Sequence, residues 1–279
     1  MKDLSNENVI HIAKDGVQYL QFRRLLEYSD ILVHAYSLGI DKNFRTARAK
    51  NVESLTQEEV KKANKDYSDL CNAIEMNYID AVKPNQAHTK NVKKVDEHVN
   101  INKPDFNLKE YDFTDGLITN KSNILLATTN ADCILLMFFD PIKKAIANVH
   151  SGWKGTLQRI SVETVEKMQK EYGSNSKDII CCICPSIRKC HFEVEKDVQT
   201  LFENEFKDLK LDEIIERKSE NKWLIDTVKI NEEILQKAGL RKENIIDCGI
   251  CSVCNSDLIH SYRVEKEKYG LSTAIIGLK

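Results

Sequence analysis

The sequence predicts an α+β domain, mixed β-sheet layers covered by helices, and three observations carry that reading. Segments 124–127, 134–139 and 145–149 are nearly continuous apolar runs, the pattern of strands covered on both faces. Strand-like and helix-like segments are mixed without the strict alternation of a doubly wound fold. Neither G-x-G-x-x-G nor a P-loop occurs, so the common phosphate-cradling turns are absent.

Residues 1–30 are polar and yield no assignment, so they are set apart as an N-terminal segment from a catalytic-domain candidate at 31–279. Ile31 to Tyr36 reads as a strand and 41–55 as loop. Thr56-x-x-Glu59 is a capping box. Behind it Val60, Ala63, Tyr67, Leu70, Cys71 and Ile74 recur at helical spacing, for a helix running to about Met76. Residues 78–82 read as a strand leading into Pro84-Asn85-Gln86-Ala87-His88, and the charged run 91–112 as a surface excursion. Three strands then follow at 124–127, 134–139 and 145–149. Leu157, Ile160, Val165 and Met168 mark one helix after a Gly152–Gly155 turn. Ile179 to Cys184 is a strand, and Leu201 and Phe202 suggest a helix. Asp226 can N-cap a helix carrying Ile230, Ile234 and Leu235, stopped by Gly239. Strands at 245–246 and 273–276 close the chain.

Composition limits the function classes. A chain of 279 residues can bury a sizeable core. A net charge of -2 gives no footing for nucleic acid or an acidic membrane surface. No apolar run approaches the roughly 20 residues that span a bilayer, and Met1 to Asn8 lacks the apolar core of a secretory signal. The expected location is therefore cytoplasmic. There the nine cysteines should be free thiols. Cys181, Cys182 and Cys184 lie in the apolar run I-I-C-C-I-C, where cysteine acts as a small hydrophobe. Cys251-x-x-Cys254 invites a metal reading, but no second C-x-x-C has finger-like spacing. The expectation is that Cys190, Cys248, Cys251 and Cys254 bind no cofactor.

The chemistry concentrates elsewhere. Cys133 opens one apolar run and His150 closes the next, 17 residues later, beside the Gly-rich stretch. Two adjacent strands with a tight connection would bring both to one sheet end. His88 ends a third segment. One thiolate and two imidazoles suit zinc, and three protein ligands leave a fourth position for water or substrate. Without a metal, Cys133 and His150 would instead suit a nucleophile–base pair.

Four motifs resemble those of a known family: N-Q-A-H at 85–88, T-N-A-D-C at 129–133, H-S-G-W-K-G at 150–155 and C-N-S-D-L-I-H-S-Y-R at 254–263. C-P-S-I-R-K-C-H-F-E-V at 184–194 is similar to a fifth. The family is the laccase-domain family, also called the multicopper polyphenol oxidase or peptidoglycan-editing-factor family. Several members are described as purine nucleoside phosphorylases with adenosine deaminase activity. The resemblance covers roughly residues 31 to 279. It implies a single α+β domain similar to the cytotoxic necrotizing factor catalytic domain, and it implies that His88, Cys133 and His150 are zinc ligands. Lys154 stands where Arg is commoner, Cys184 and Glu195 replace glycines, and 37–55 matches weakly.

Other residues gain candidate roles from this frame. Asp132 can orient a ligand or shuttle a proton. Asn85 and Gln86 can read a purine edge or sugar hydroxyl, Lys154 and Arg263 can hold phosphate, and Ser186 can sit on an anion-binding loop. Trp153 can wall the pocket. The implied function is a zinc enzyme that cleaves adenosine and inosine with phosphate and deaminates adenosine as a side activity. Its partners would be small molecules, a purine nucleoside and phosphate, with neither nucleic acid nor membrane. The alternatives are a metal-free Cys133–His150 hydrolase or amidase acting on a peptidoglycan precursor, copper oxidase chemistry on the His₂Cys set, and a non-enzymatic zinc-stabilised binding module. Copper is the less suited metal, because methionines and histidines are few.

Overall fold

The computed structural model describes residues 2–45, 56–77, 81–96 and 111–279. The chain opens with a hairpin of β1 (Val9–Lys14) and β2 (Val17–Phe22). Asp15 and Gly16 turn it, both with positive φ (53° and 75°), the conformation of a tight two-residue hairpin loop. The first thirty residues, unassigned from sequence, thus build the edge of a sheet. A short helix α1 (Arg23–Leu26) leads to β3 (Leu32–Leu38). Helix α2 (Gln57–Ala73) starts at the expected capping box, with Thr56 and Glu59 bonded reciprocally. It stops before Met76 because Glu75 takes a left-handed φ of 62°.

Two short strands, β4 (Ala81–Val82) and β5 (Val92–Lys94), flank the segment that carries His88. The expected strand at 78–82 is described only at its last two residues, and most of the 91–112 run lies outside the described residues. Next come β6 (Gly116–Thr119), β7 (Leu125–Asn130), β8 (Ile134–Asp140) and β9 (Ala145–Ser151). The single helix expected after Gly152 is two: α3 (Trp153–Leu157) and α4 (Ile160–Tyr172). Arg159 breaks them apart with a left-handed φ of 57°, so Trp153, Lys154 and Gly155 are helical rather than a turn.

The C-terminal half adds β10 (Ile180–Ile183), β11 (Glu193–Val194), α5 (Lys196–Glu205), α6 (Leu211–Ile214), β12 (Ile215–Arg217) and β13 (Trp223–Ile225). Helix α7 (Thr227–Lys237) is capped by Asp226, which accepts from the Lys229 N–H. Then follow β14 (Ile245–Asp247), the four-residue α8 (Tyr262–Glu265) and β15 (Ser272–Leu278). Among the described residues no helix is long and apolar enough to cross a membrane.

Two six-stranded sheets carry the fold, ordered β1-β2-β3-β15-β7-β4 and β14-β10-β8-β9-β6-β5, with a small third sheet β11-β13-β12. The large sheets pack face to face. Leu126, Ala274 and Ile276 of the first meet Leu135, Met137, Phe139 and Cys182 of the second in one core. The alternate residues point outward. Ile134, Leu136 and Phe138 pack under α4 and α7, with Ile160, Val165, Met168 and Val228. Ala127 and Ile275 pack under α2, against Tyr67, Leu70 and Cys71. The inner strands β3, β8, β9, β10 and β15 are buried at every residue, which is why their apolar runs are continuous.

The connection between β7 and β8 is the step that makes the site. These two runs are neighbours in sequence, yet β7 pairs with β15 in one sheet and β8 with β9 in the other. Residues 131–133 therefore cross from sheet to sheet. Nearby, Asn148 of β9 ties the two layers. Its amide donates to the carbonyls of Leu126 and Ala274, at 2.8 Å each, and its oxygen accepts from Thr128 Oγ1 at 2.5 Å. A fully satisfied polar group in a dry core costs much to remove. Asn148→Ala is expected to lower stability by about 2–3 kcal/mol, read as a shift in urea midpoint with an unchanged slope. A shift no larger than that of a surface alanine would mean that the clamp contributes nothing.

Candidate metal centre and its cavity

Three segments bring His88, Cys133 and His150 together, and backbone pairing explains how. In the β8–β9 hairpin Ile134 faces Ser151 and Leu135 faces His150, so Cys133, one residue before β8, lies next to the end of β9. Asn130 fixes the crossover by donating to the Cys133 carbonyl (2.6 Å) and the Pro185 carbonyl (3.0 Å). Gly116 of β6 pairs with Val149, which places Asp115 beside His150. His88 is not at a strand end. It sits in the loop after β4, with a φ of 60°.

Asp115 organises this meeting and escaped the sequence reading. Its carboxylate is fully buried. Oδ1 accepts from the His88 N–H (2.9 Å) and the Ala87 N–H (3.1 Å), and Oδ2 from the N–H (2.7 Å) and hydroxyl (2.8 Å) of Thr89. The same Oδ1 lies 2.9 Å from His150 Nδ1. One carboxylate thus anchors the 87–89 backbone as an anion nest and assigns the His150 proton to Nδ1, leaving Nε2 as a ligand. Burial alone would raise the pKa of Asp115. The bond to His150, its charge and the Thr89 donors outweigh burial and hold the carboxyl at about 2.

The three donor atoms lie within 4.8 Å of one another. Cys133 Sγ is 3.9 Å from His88 Nε2, and the two imidazole rings meet edge to face with centroids 4.8 Å apart. Gly152 forms the floor beneath them. A Cβ there would lie 2.7 Å from His88 Cδ2, 3.2 Å from Cys133 Sγ and 3.3 Å from His150 Cε1. The space is reserved by a glycine whose φ of -62° any residue could adopt, so room rather than conformation requires it. Burial pushes the Cys133 thiol up, but the His150 charge and hydrogen bonds from both imidazoles bring it down to about 6. Burial pushes His150 down, and the Cys133 thiolate and Asp115 raise it to about 9. A thiolate flanked by two imidazoles, one buried and one exposed, fits a divalent metal with an open side.

This centre lies in a cavity of ≈ 580 Å³ lined also by Phe44, Arg45, Tyr67, Lys83, Asn85, Gln86, Asp132, Trp153, Ile187, Phe192, Tyr262, Arg263 and Tyr269. The candidates from sequence fare differently. Gln86 faces the cavity but is spent on Thr129, whose N–H it accepts and whose carbonyl it donates to, both at 2.8 Å. Asp132 accepts from Ser252 Oγ (2.6 Å) and the Arg263 N–H (2.7 Å), so both its oxygens are occupied by protein. Asn85 donates to Asp112, while its Oδ1 is buried without a donor among the described residues. Arg263 lines the cavity and donates to the Glu193 carbonyl. Lys154 and Ser186 are not brought to it. Lys154 is exposed on α3 with its ammonium over Trp153, and Ser186 is buried in the loop after β10. Arg45 and Lys83 supply cations that sequence reasoning missed.

The model of the multi-copper polyphenol oxidoreductase laccase family matches residues 42–279. The chain belongs to this family. Among individual relatives, the purine nucleoside phosphorylase YlmD of Bacillus subtilis strain 168 is 33% identical over 166 residues, 60% of this chain and 59% of its own length. The human purine nucleoside phosphorylase LACC1 is 31% identical over 175 residues, 61% of this chain and 40% of its own. The chain therefore matches less than two thirds of either relative. Two solved structures share the fold: YlmD of Geobacillus stearothermophilus (TM-score 0.81, 19% identity, 97% of this chain and 99% of that one) and the hypothetical protein YfiH of Bacillus licheniformis (0.80, 24%, 94% and 96%).

Two measurements follow from this geometry. Asp115→Asn should weaken the binding of a divalent metal by about 10–100-fold in competition with a chelator, and Gly152→Ala, which forces the His88 ring aside, should weaken it further. Unchanged affinities would refute the ligand set. In metal-stripped protein, iodoacetamide should label Cys133 nearly as fast at about pH 7 as at about pH 8, slowing only as pH falls through about 6, because the thiolate is the reacting form. A tenfold loss over that first interval would mean an ordinary thiol.

Proposed function

We propose that this chain is a zinc-dependent purine nucleoside phosphorylase acting on adenosine and inosine, with slower deamination of adenosine in the same cavity. The observation that carries the proposal is the cavity itself, where three side chains that could hold a metal, three cationic side chains and aromatic walls converge. The names of the relatives point to the same substrate class.

The residues divide the work by chemistry. Arg45, Lys83 and Arg263 give a dianionic phosphate its counter-charges. Arg45 is itself seated on the Tyr269 ring and bonded to the Tyr269 carbonyl. Asp132 is a positioning residue: by holding the Arg263 N–H and the Ser252 hydroxyl, it sets where that guanidinium starts. Phe192 and Tyr262, two of the less buried aromatic rings of the lining, offer faces for a purine. Asn85 Oδ1 is an acceptor in want of a donor, suited to a ribose hydroxyl or a purine amino group. In phosphorolysis a phosphate oxygen bonds to ribose C1′ as the bond from C1′ to the base breaks, and its electron pair leaves with the purine, which is protonated. In deamination water adds at the purine C6 and ammonia departs. A zinc ion held by His88, Cys133 and His150 would supply Lewis-acid polarisation at the cavity floor.

A second reading has its own observation. Cys133, His150 and Asp115 form a hydrogen-bonded thiolate–imidazole–carboxylate series, the arrangement of a cysteine hydrolase or amidase. It leaves His88 unexplained, since a nucleophile needs one base and here a second imidazole faces the sulfur. The metal reading uses all three, and for that reason it is preferred.

Product analysis with and without phosphate decides between them. Free base and ribose 1-phosphate should appear from adenosine and inosine only with phosphate, and Cys133→Ser should lose both the metal of this centre and activity. Arg263→Ala should slow phosphorolysis about thirty- to more than a hundredfold, the equivalent of roughly 2–3 kcal/mol for a charge-assisted contact, and deamination far less. Base release at equal rates without phosphate would refute phosphorolysis. Cleavage of a peptidoglycan precursor by metal-free protein would hand the site to the hydrolase.

A further inference from the structure

A second cluster of side chains that could hold a metal lies outside the cavity, where the sequence offered the Cys251-x-x-Cys254 spacing but no second pair, so that no cofactor was expected. The loop between β10 and β11 carries Cys190 and His191. The segment after β14 carries Cys251 and Cys254, the latter in a single 3₁₀ turn, Val253–Asn255. Backbone pairing brings the two together: Ser186 and Cys251 form a parallel bridge, and Ser252 N–H donates to the Ser186 carbonyl at 3.0 Å. Arg188 braces the junction, donating to Asp247 at 2.6 Å and to the Ile250 carbonyl at 3.3 Å.

The four donor atoms then lie close together. Cys190 Sγ lies 3.7 Å from Cys251 Sγ and 3.2 Å from His191 Nδ1. Cys251 Sγ and Cys254 Sγ are each 3.6 Å from the same Nδ1, and all four donors fall within 4.8 Å of one another. Around zinc, with bonds of about 2.3 Å to sulfur and about 2.0 Å to nitrogen, a tetrahedron has edges of roughly 3.5 to 3.8 Å. A disulfide would bring two sulfurs to about 2.05 Å and give the imidazole no role. An iron–sulfur cluster would hold its cysteines around several metal atoms rather than one.

We propose that Cys190, His191, Cys251 and Cys254 bind a second zinc ion, structural in character because all four positions are filled by protein. Its effect would reach the cavity through the chain it staples. Ile187 and Phe192, on either side of Cys190 and His191, line that cavity, and Ser252, beside Cys251, holds Asp132. The ion ties the two loops that form this wall.

The test is metal content of the full chain, purified without chelator, by mass spectrometry of the elements. Wild type should carry about two zinc ions, and Cys254→Ser and Cys133→Ser about one each, whereas the double variant should carry almost none. The two single variants separate the sites, so failure of one assignment leaves the other standing. Cys254 is exposed, and its serine variant should fold with an unchanged circular dichroism spectrum. As a second measure independent of any variant, iodoacetamide should label Cys190 and Cys254 only after a chelator has been added. About one zinc in wild type, retained by Cys254→Ser and lost by Cys133→Ser, would overturn the proposal. So would an intact mass showing a disulfide between these cysteines, or rapid labelling of both before chelation.

Discussion

The buried carboxylate of Asp115 is the interaction on which the site depends. A charge without solvent is tolerable only if donors surround it, and here three consecutive backbone N–H groups, a hydroxyl and an imidazole do so. Satisfying the carboxylate fixes the loop that carries His88 and the tautomer of His150 in one step. Neither consequence can be had separately. If the nest opened, the loop would lose its anchor and the imidazole its orienting partner, and the buried negative charge would remain to be paid for. The sheets set where Asp115 stands, because β6 pairs with β9 in a register that makes it the neighbour of His150.

Much of this was legible in the sequence where the physics is local. The capping box at Thr56, the N-cap at Asp226 and the doubly buried strands each depend on residues close in the chain. The hairpin at 9–22 was not read from the sequence, because the polar character of the first thirty residues masked the Asp15-Gly16 turn signal. Asp115 was not legible. It meets Ala87, His88 and Thr89 across a gap in sequence that no periodicity spans, and an aspartate in D-F-T-D-G reads as turn chemistry. The break at Arg159 escaped for a different reason: its left-handed conformation is tertiary, held where Arg159 bonds to Glu205 and Asp208.

The cysteines show where compositional reasoning stops. Cys181, Cys182 and Cys184 are buried on β10 and at its exit, as the apolar run implied, and burial pushes their thiols well up. The alternation of the strand sends Cys181 to the helix-covered face and Cys182 to the inter-sheet core. Cys190, Cys251 and Cys254 are not core residues in that sense. Their grouping depends on β10 and β14 being parallel neighbours, so that the segments leaving both strands emerge at the same end. Ligand spacing along the chain cannot reveal a site whose halves are joined by strand order. His191 is still less visible, for a histidine beside a cysteine carries no signal of its own.

The two clusters are mechanically connected through the crossover that separates β7 from β8. Cys133 and Asp132 are adjacent, but they face different tasks. The thiol joins the imidazoles, while the carboxylate reaches Ser252 and the Arg263 backbone on the opposite wall. Asp132 takes a φ of 83°, which costs little for aspartate and turns successive side chains apart. Ile187 donates its N–H to the Asp132 carbonyl at 2.8 Å, so the loop bearing Cys190 and His191 is joined to the same residue from its other end. The position of Arg263 relative to the metal centre is thus set by a short chain of bonds running from Cys133 through Asp132 to the loops after β10 and β14. The phosphorolysis proposed above would hold an anion at a fixed distance from a metal, and would need that wall to be stiff, because a misplacement of about 1 Å costs orders of magnitude in rate. Those loops are short on regular structure, and cross-linking by side chains is the means left to stiffen them.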